Sequence, residues 1–344
     1  NMAIDMILFD YRDAEEDFFK DFDKGCFEMK FVKKGATEEV IKNFPPNYLD
    51  NVTVISVFIT DKIDENILKY FKNLRVISTR STGVNHIDLE YCKNRRIAVL
   101  NVTNYGAQAV AQYTMGLIIA LVRNIVSADL FMRDGKCGNR SFIGRDLNAL
   151  TLGVIGTGTI GGSICQLASS FGMKVICHDI FPKSELIYRC GVEYVTLDNL
   201  LERADVVSIN VPYTVTNKDM IAKEQFNKMK KIPYLINTSR GELVNLEDLK
   251  QALKSGEIAG AALDVLSCET LMFRHNCDLN NLPDDTRTMC LNEMKIIEEL
   301  KVMDNVILTP HIAYETKEAV EYILQSTMNN IRDFFKGENN GRVI

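Results

Sequence analysis

Short apolar runs alternate with polar or amphipathic stretches along most of the chain. Before residue 103 the runs are Met6 to Tyr11, Val54 to Thr60, Arg75 to Thr79 and Ile97 to Val102, separated by helix-like segments such as Asp64 to Lys72. Continuous apolar runs of this length read as strands covered on both faces, and their alternation with helices predicts a parallel α/β layer. A second series begins at residue 151 with TLGVIG and continues through KVICHD, EYVTL, DVVSINVP, YLINTS and AALDV. It predicts six strands in the order 3-2-1-4-5-6, closing near residue 313. Glu315 to Lys336 reads as one amphipathic helix, too small to be a domain, which must pack back on the first layer. Gln108 to Arg133, containing AVAQYTMGLIIALV, is apolar nearly all round and is expected as one buried helix, in an interdomain core or a subunit interface. The pattern thus predicts two doubly wound parallel-sheet domains. Residues 104–313 form one, inserted into the other, made of 1–103 and 314–344, with a cleft between them that can close on a ligand.

The start of the second series carries a specific motif. In TLGVIGTGTIGGSICQLASSFGMKVICHD, a strand leads into Gly156, Gly158 and Gly161, then a helix, a second strand and Asp179 at its end. Gly156 permits the tight turn, Gly158 lets a pyrophosphate approach the backbone, and Gly161 lets helix and strand pack closely. Phosphates then meet the helix N-terminus, where free amides and the macrodipole favour negative charge. The Asp179 carboxylate is placed to accept ribose hydroxyls and would repel a phosphate, so the expected cofactor is NAD; Lys183 nearby leaves some use of NADP open.

Composition narrows the class. The chain has 344 residues, 46% hydrophobic and 25% charged, enough for two full cores, and a net charge of −6 with no Lys/Arg-rich run argues against nucleic acid or an anionic membrane as partner. The apolar stretch around Met115 to Val122 is too short to span a bilayer, and no basic segment followed by an apolar one opens the chain, so a cytoplasmic location is expected. Nine scattered cysteines without a CxxC pair fit reduced thiols better than disulfides or zinc. No metal site is expected, because no His/Cys/Asp cluster has ligand spacing.

Three polar residues follow strand-like runs on the side where such sheets bind ligands: Arg240 after YLINTS, Glu269 shortly after AALDV, and His311 after VILTP. Together they suit hydride transfer to a 2-keto acid. A guanidinium can grip the carboxylate in bidentate fashion and polarise the carbonyl, and an imidazolium can protonate the oxygen as hydride reaches carbon. A neighbouring carboxylate keeps that imidazole charged near neutrality. Arg240 is therefore expected to orient, His311 to act as acid/base, and Glu269 to tune His311. Of the other histidines, His86 is expected to hold its loop, while His178 lies in a strand and His275 in an insertion. Cys268, beside Glu269, is expected to be a free thiol, either buried and inert as a small apolar residue or, where it faces the site, slow to react at neutral pH.

At this point the chain resembles the D-2-hydroxyacid dehydrogenase family, through RVISTRSTGVNHIDL, NVTNYGAQAVAQYTMGLI, LGVIGTGTIG, INTSRGELVN, AALDV and NVILTPHIAYET. Within it the likeness is strongest to D-lactate dehydrogenases, including the vancomycin-resistance type, with an extended insertion from Leu271 to Leu300. The resemblance implies a Rossmann NAD-binding domain inserted into a flavodoxin-like catalytic domain, and a homodimer. It implies catalytic roles for Arg240, Glu269 and His311, a carboxylate-gripping backbone loop at Thr82 and Gly83, and substrate-lining Tyr105 and Tyr314. Positions implied near the cofactor are Thr157, Gly158, Thr159, Ile160, Asp179, Val211, Pro212, Asn217, Thr238, Ser239 and Asp264, beside Gly156 and Gly161.

Several positions depart from the family pattern. Tyr105-Gly106-Ala107 replaces a Tyr-Ser-Pro loop, Asn210-Val211-Pro212 replaces His-x-Pro, and Ser267 stands where an acidic residue is common. Retention of Glu269 argues against formate dehydrogenase. The resemblance makes NAD-dependent interconversion of pyruvate and D-lactate the leading activity; one methylene changes preference by only about 1–3 kcal/mol, so larger 2-hydroxy acids such as 2-hydroxyisocaproate, phenyllactate or 2-hydroxyglutarate stay open. An NAD-sensing corepressor-like protein is the alternative of a different class.

Overall fold

The computed structural model describes residues 3–59, 62–103, 105–136, 138–269 and 283–344. The chain divides into two compact units, Asn1–Gly106 with Glu315–Ile344, and Ala107–Tyr314.

The first unit is built on β1 (Ile4–Leu8), β2 (Phe27–Phe31), β3 (Val54–Val57), β4 (Val76–Thr79) and β5 (Ala98–Leu100), in the order β2-β1-β3-β4-β5. All pairings are parallel. This is the flavodoxin-like doubly wound order. Side chains alternate between two cores: Ile7, Ile55, Ile77 and Val99 enter one, while Met6, Leu8, Val54, Val76 and Leu100 enter the other. The helix Lys317–Lys336 covers the second face with Val320, Leu324, Met328 and Ile331, at i, i+4, i+8 and i+11, each worth roughly 1.5–3 kcal/mol of burial. Strand β2 has no counterpart among the sequence expectations. It is an edge strand, FEMKF, whose Glu28 and Lys30 interrupt the apolar run, so it lacks the continuous pattern of a central strand.

The second unit carries β6 (Thr151–Ile155), β7 (Lys174–His178), β8 (Glu193–Tyr194), β9 (Val206–Ile209), β10 (Tyr234–Asn237), β11 (Gly260–Leu263) and β12 (Val306–Leu308). Their order is β12-β11-β10-β9-β6-β7-β8, all parallel. The six expected strands are present and β12 adds a seventh beyond β11. Its residues belong to the run VILTP that precedes His311, which the count of six left out.

Two further expectations are corrected. The segment Gln108 to Arg133 is not one helix but two, Ala107–Val122 and Ile125–Arg133, bent by 63°. Asn124 at the break has φ 55°, a left-handed conformation that asparagine tolerates, and its side-chain amide donates to the carbonyls of Phe142 and Ile143. No single helix among the described residues is long and apolar enough to cross a membrane. The cysteines are not all thiols either. Cys268 is joined to Cys290 by a disulfide, with Cα atoms 5.6 Å apart. Cys268 is therefore not the free thiol expected beside Glu269. The bond ties the stretch before Glu269 to the helix Asp284–Lys301, a proximity that the spacing of cysteines along the chain does not reveal. Residues 270–282, including His275 and the first part of the Leu271–Leu300 insertion, lie outside the described residues.

Candidate active site

The glycine loop joins β6 to the helix Thr159–Ser170. Gly156 has φ 89°, and a Cβ there would stand 2.8 Å from the Asn210 carbonyl oxygen and 2.7 Å from the Val211 side chain. Only glycine meets both conditions without displacing the backbone. A Cβ on Gly161 would fall 1.9 Å from the Gly156 carbonyl oxygen, so helix and turn touch directly. At Gly158 nothing lies within 4 Å of that direction, leaving room for a phosphate to reach the backbone. Thr159 and Ile160 open the helix.

Asp179 follows β7 and binds this loop itself. Its carboxylate accepts the Thr157 amide at 2.6 Å, the Thr157 hydroxyl at 2.9 Å and the Phe181 amide at 2.8 Å. Burial pushes its pKa up, but these donors and Lys183 outweigh it and hold the group below the usual carboxylate range. Tyr194 adds a hydroxyl bond to Thr157 at 2.9 Å. An anionic side chain is thus built into the loop where the adenosine ribose of a dinucleotide is expected.

His311 and Glu269 meet. Nδ1 of His311 lies 2.7 Å from Glu269 Oε2, both side chains being a little over one-fifth exposed. The other Glu269 oxygen accepts the Leu266 amide at 2.8 Å. With Nδ1 committed to the carboxylate, Nε2 is the nitrogen left to exchange a proton. His311 has φ 56°, an uncommon conformation for a residue with a side chain, and it is imposed from beneath. Fully buried Asp264 accepts the Thr309 hydroxyl at 2.6 Å and the amides of Ile312 and Ala313 at 3.0 and 2.9 Å, while its own carbonyl accepts the His311 amide at 2.8 Å. Asp264, which the resemblance put near the cofactor, is the anchor of the His311 segment. Tyr314 packs edge-on against His311, with ring centroids 6.0 Å apart.

Arg240 follows β10 and is exposed, with one guanidinium nitrogen donating to the Ser239 carbonyl at 2.7 Å. Its backbone is fixed by Asn237, whose side chain donates to the Arg240 carbonyl at 2.8 Å and accepts the Ser239 amide at 3.0 Å. Gly241 is pressed against the chain at Leu266 and Ser267, where a Cβ would lie 2.2 Å from backbone atoms, so the Arg240 turn and the stretch leading to Glu269 are in direct contact. Ser239 donates to the Val211 carbonyl, Asn217 to the Pro212 carbonyl at 2.8 Å, and the hydroxyls of Thr238 and Thr114 lie 2.9 Å apart. The helix Asp284–Lys301 contributes Glu293, whose carboxyl burial pushes up.

In the first unit, Thr82 and Gly83 follow β4. The Thr82 hydroxyl donates to the Val102 carbonyl at 2.9 Å, and a Cβ on Gly83 would meet nothing within 4 Å. Tyr105 is half-buried in the same unit. Beneath the loop lies a group that the sequence does not single out. Arg80 is buried with Glu15: its Nε donates to Glu15 at 2.9 Å, Nη1 to the Ser56 hydroxyl at 2.9 Å, and Nη2 to the carbonyls of Phe9 and Asp10 at 2.8 and 3.0 Å. One guanidinium thereby ties together the carboxyl ends of β1, β3 and β4. The Arg in TRSTG is a signal for it, but its acidic partner is 65 positions away.

The chain is similar to known proteins over most of its length. Residues 115–313 match the family described as D-isomer specific 2-hydroxyacid dehydrogenase, NAD binding domain. The chain is 38% identical over 308 residues to a glyoxylate reductase of Thermofilum pendens, covering 88% of this chain and 83% of that protein. It is 36% identical over 330 residues to an aromatic 2-oxoacid reductase of Clostridium sporogenes, covering 94% of each. A D-lactate dehydrogenase structure from Aquifex aeolicus, complexed with NAD and lactic acid, aligns with a TM-score of 0.80 at 33% identity over 98% of both chains. The chain belongs to the D-isomer specific 2-hydroxyacid dehydrogenase family, an NAD-dependent oxidoreductase whose second unit contains the NAD-binding domain.

Proposed function

We propose that this chain reduces a small 2-oxo acid to the D-2-hydroxy acid with NADH, pyruvate to D-lactate being the leading case. The observation that carries the reading is the 2.7 Å contact of His311 Nδ1 with Glu269, which leaves Nε2 as the proton donor. NADH, when bound, supplies the hydride. Gly156, Thr157, Gly158, Thr159, Ile160 and Gly161 would hold its phosphates and Asp179 its ribose, with Val211, Pro212, Asn217, Thr238, Ser239 and Asp264 near the cofactor. The residues do the rest. Arg240 grips the carboxylate and polarises the carbonyl, and the first unit's amides at Thr82 and Gly83 take a carboxylate oxygen. His311 passes its Nε2 proton to the carbonyl oxygen as hydride reaches carbon, so one proton is consumed for each hydroxy acid formed. The imidazole is left neutral with Nδ1–H on Glu269, and solvent restores the proton. Tyr105 and Tyr314 bound the acyl side.

A lactate-bound structural neighbour supports pyruvate, whereas the relative named aromatic 2-oxoacid reductase, similar over 94% of the chain, favours an aromatic substrate as the second reading. A steady-state NADH-oxidation panel of pyruvate, glyoxylate, phenylpyruvate, 2-oxoisocaproate and 2-oxoglutarate, with chiral analysis of the product, separates them. Highest kcat/KM for pyruvate with a D product is expected. Highest kcat/KM for phenylpyruvate would replace the first reading by the second, and no oxidation with any of them would remove both.

A further inference from the structure

Three consecutive carbonyls in the loop after β4 are tied to the protein. The Ser81 carbonyl accepts the Val102 amide at 3.1 Å, the Thr82 carbonyl the Asn101 side chain at 2.9 Å, and the Gly83 carbonyl the Ser81 hydroxyl at 2.8 Å. In a trans peptide the carbonyl of one residue and the amide of the next point in opposite directions. Each tether therefore aims the following N–H, of Thr82, Gly83 and Val84 in turn, away from the protein atom that holds the carbonyl. Among the described residues none of these three amides donates to a protein acceptor. Successive amides turned outward are the makings of an anion cradle.

The last tether has an upstream cause. The Ser81 hydroxyl spends its one hydrogen on the Gly83 carbonyl, so in its 2.6 Å contact with Thr79 it must accept. Thr79 then spends its own hydrogen on Ser81 and must accept in its 3.0 Å contact with His86 Nε2. His86 Nε2 therefore carries a hydrogen. The chain of donors runs in one direction only, from His86 through Thr79 and Ser81 to Gly83. Thr79 and Ser81 are buried, and His86 is held in place by its own carbonyl, which accepts the Ile63 amide at 2.8 Å.

We infer that His86 and Thr79 are positioning residues for substrate binding: through Ser81 they set the plane of the Gly83–Val84 peptide, so that the Val84 amide joins the Gly83 amide in gripping the substrate carboxylate. The inference rests on the reading that this loop takes the carboxylate of a 2-oxo acid. It explains why a histidine outside the acid/base pair sits at this point of the loop. His86 works as a fixed neutral donor, and no proton passes along the chain during turnover.

The test compares pyruvate with its neutral amide, pyruvamide, as substrates of the full chain with NADH. Thr79→Val keeps shape and removes the hydroxyl; Thr79→Ser restores it. His86→Leu removes the donor and His86→Gln keeps one, which secures the test where Thr79→Val does not fold. Loss of an aimed hydrogen bond to a charged group predicts about a tenfold rise in KM for pyruvate in Thr79→Val and His86→Leu, with kcat, NADH KM and kcat/KM for pyruvamide within about twofold. Thr79→Ser and His86→Gln should recover most of the loss. Unchanged pyruvate KM, equal losses on pyruvamide, or no recovery in the conservative variants would overturn the inference while leaving the proposed reaction standing. Failure of the wild type to turn over or bind any 2-oxo acid, read by NADH fluorescence, would overturn the proposed reaction and this inference together.

Discussion

The loop after β6 and the loop after β4 each present backbone amides at the carboxyl end of a parallel strand, yet their shapes have different origins. The first takes its turn from its own glycines: Gly156 adopts a conformation closed to other residues, and Gly161 lets the helix touch the turn, while Asp179 and Tyr194 hold only Thr157 from outside. The second has a single glycine with open space around it and is shaped from outside, by Val102, Asn101, the Ser81–Thr79–His86 chain and the Arg80–Glu15 pair beneath. The His311 segment is of the second kind, since buried Asp264 holds it in a left-handed turn. A loop built by glycines fails first at single positions within it. A loop built by tethers fails at residues remote from it.

The largest expected effect lies at the tethered histidine. His311→Ala should lower kcat by about 10²- to 10⁴-fold while NADH affinity, read by fluorescence titration, changes little. Glu269→Gln, which keeps an acceptor on Nδ1 without the charge, should fall between that variant and wild type. Near-normal turnover in His311→Ala would remove it from the mechanism. Next comes the buried pair under the first unit's loop. Arg80→Met leaves Glu15 buried without its partner and should cost about 3–5 kcal/mol in chemical denaturation, with part of the loss recovered in the double variant Arg80→Met, Glu15→Gln. A loss below 1 kcal/mol, by contrast, would mean that the loop does not depend on this tether.

A smaller effect follows from His86. Burial pushes its pKa from 6.5 down to about 4. Between those values the unfolded chain binds a proton that the native chain does not, so this group's contribution is complete above pH 6.5 and is lost as pH falls toward 4. After allowance for partial exposure the loss is about 2 kcal/mol, and it should be missing from the stability-against-pH curve of His86→Gln. Superimposable curves would show that His86 titrates like an exposed histidine. An effect of similar size contrasts two glycines of one loop. Gly161→Ala forces a Cβ against the Gly156 carbonyl and should cost about 1–3 kcal/mol of stability. Gly158→Ala should leave stability within about 0.5 kcal/mol and weaken NADH binding alone. Equal stability losses at both positions would contradict the distinction.

Much of this was legible along the chain because it is local. The apolar runs of β3, β4, β6, β9 and β10 are covered on both faces, so burial writes itself into consecutive residues, and the glycine loop with Asp179 follows from steric rules acting within about two dozen positions. Arg240, Glu269 and His311 were recognisable because each stands just after a strand. Elements whose burial is partial or whose partners are distant were not: β2 is an edge strand broken by charges, and the helix break at Asn124 depends on carbonyls at Phe142 and Ile143. The Cys268–Cys290 bond, the Arg80–Glu15 pair and the hold of Asp264 on His311 are decided only by tertiary structure, for they join residues 22 to 65 positions apart. The sequence by itself determines which residues can make such contacts. Which of them do is set by the packing of the strands, because a hydrogen bond or disulfide forms only where the folded backbone brings two groups to within a few ångströms.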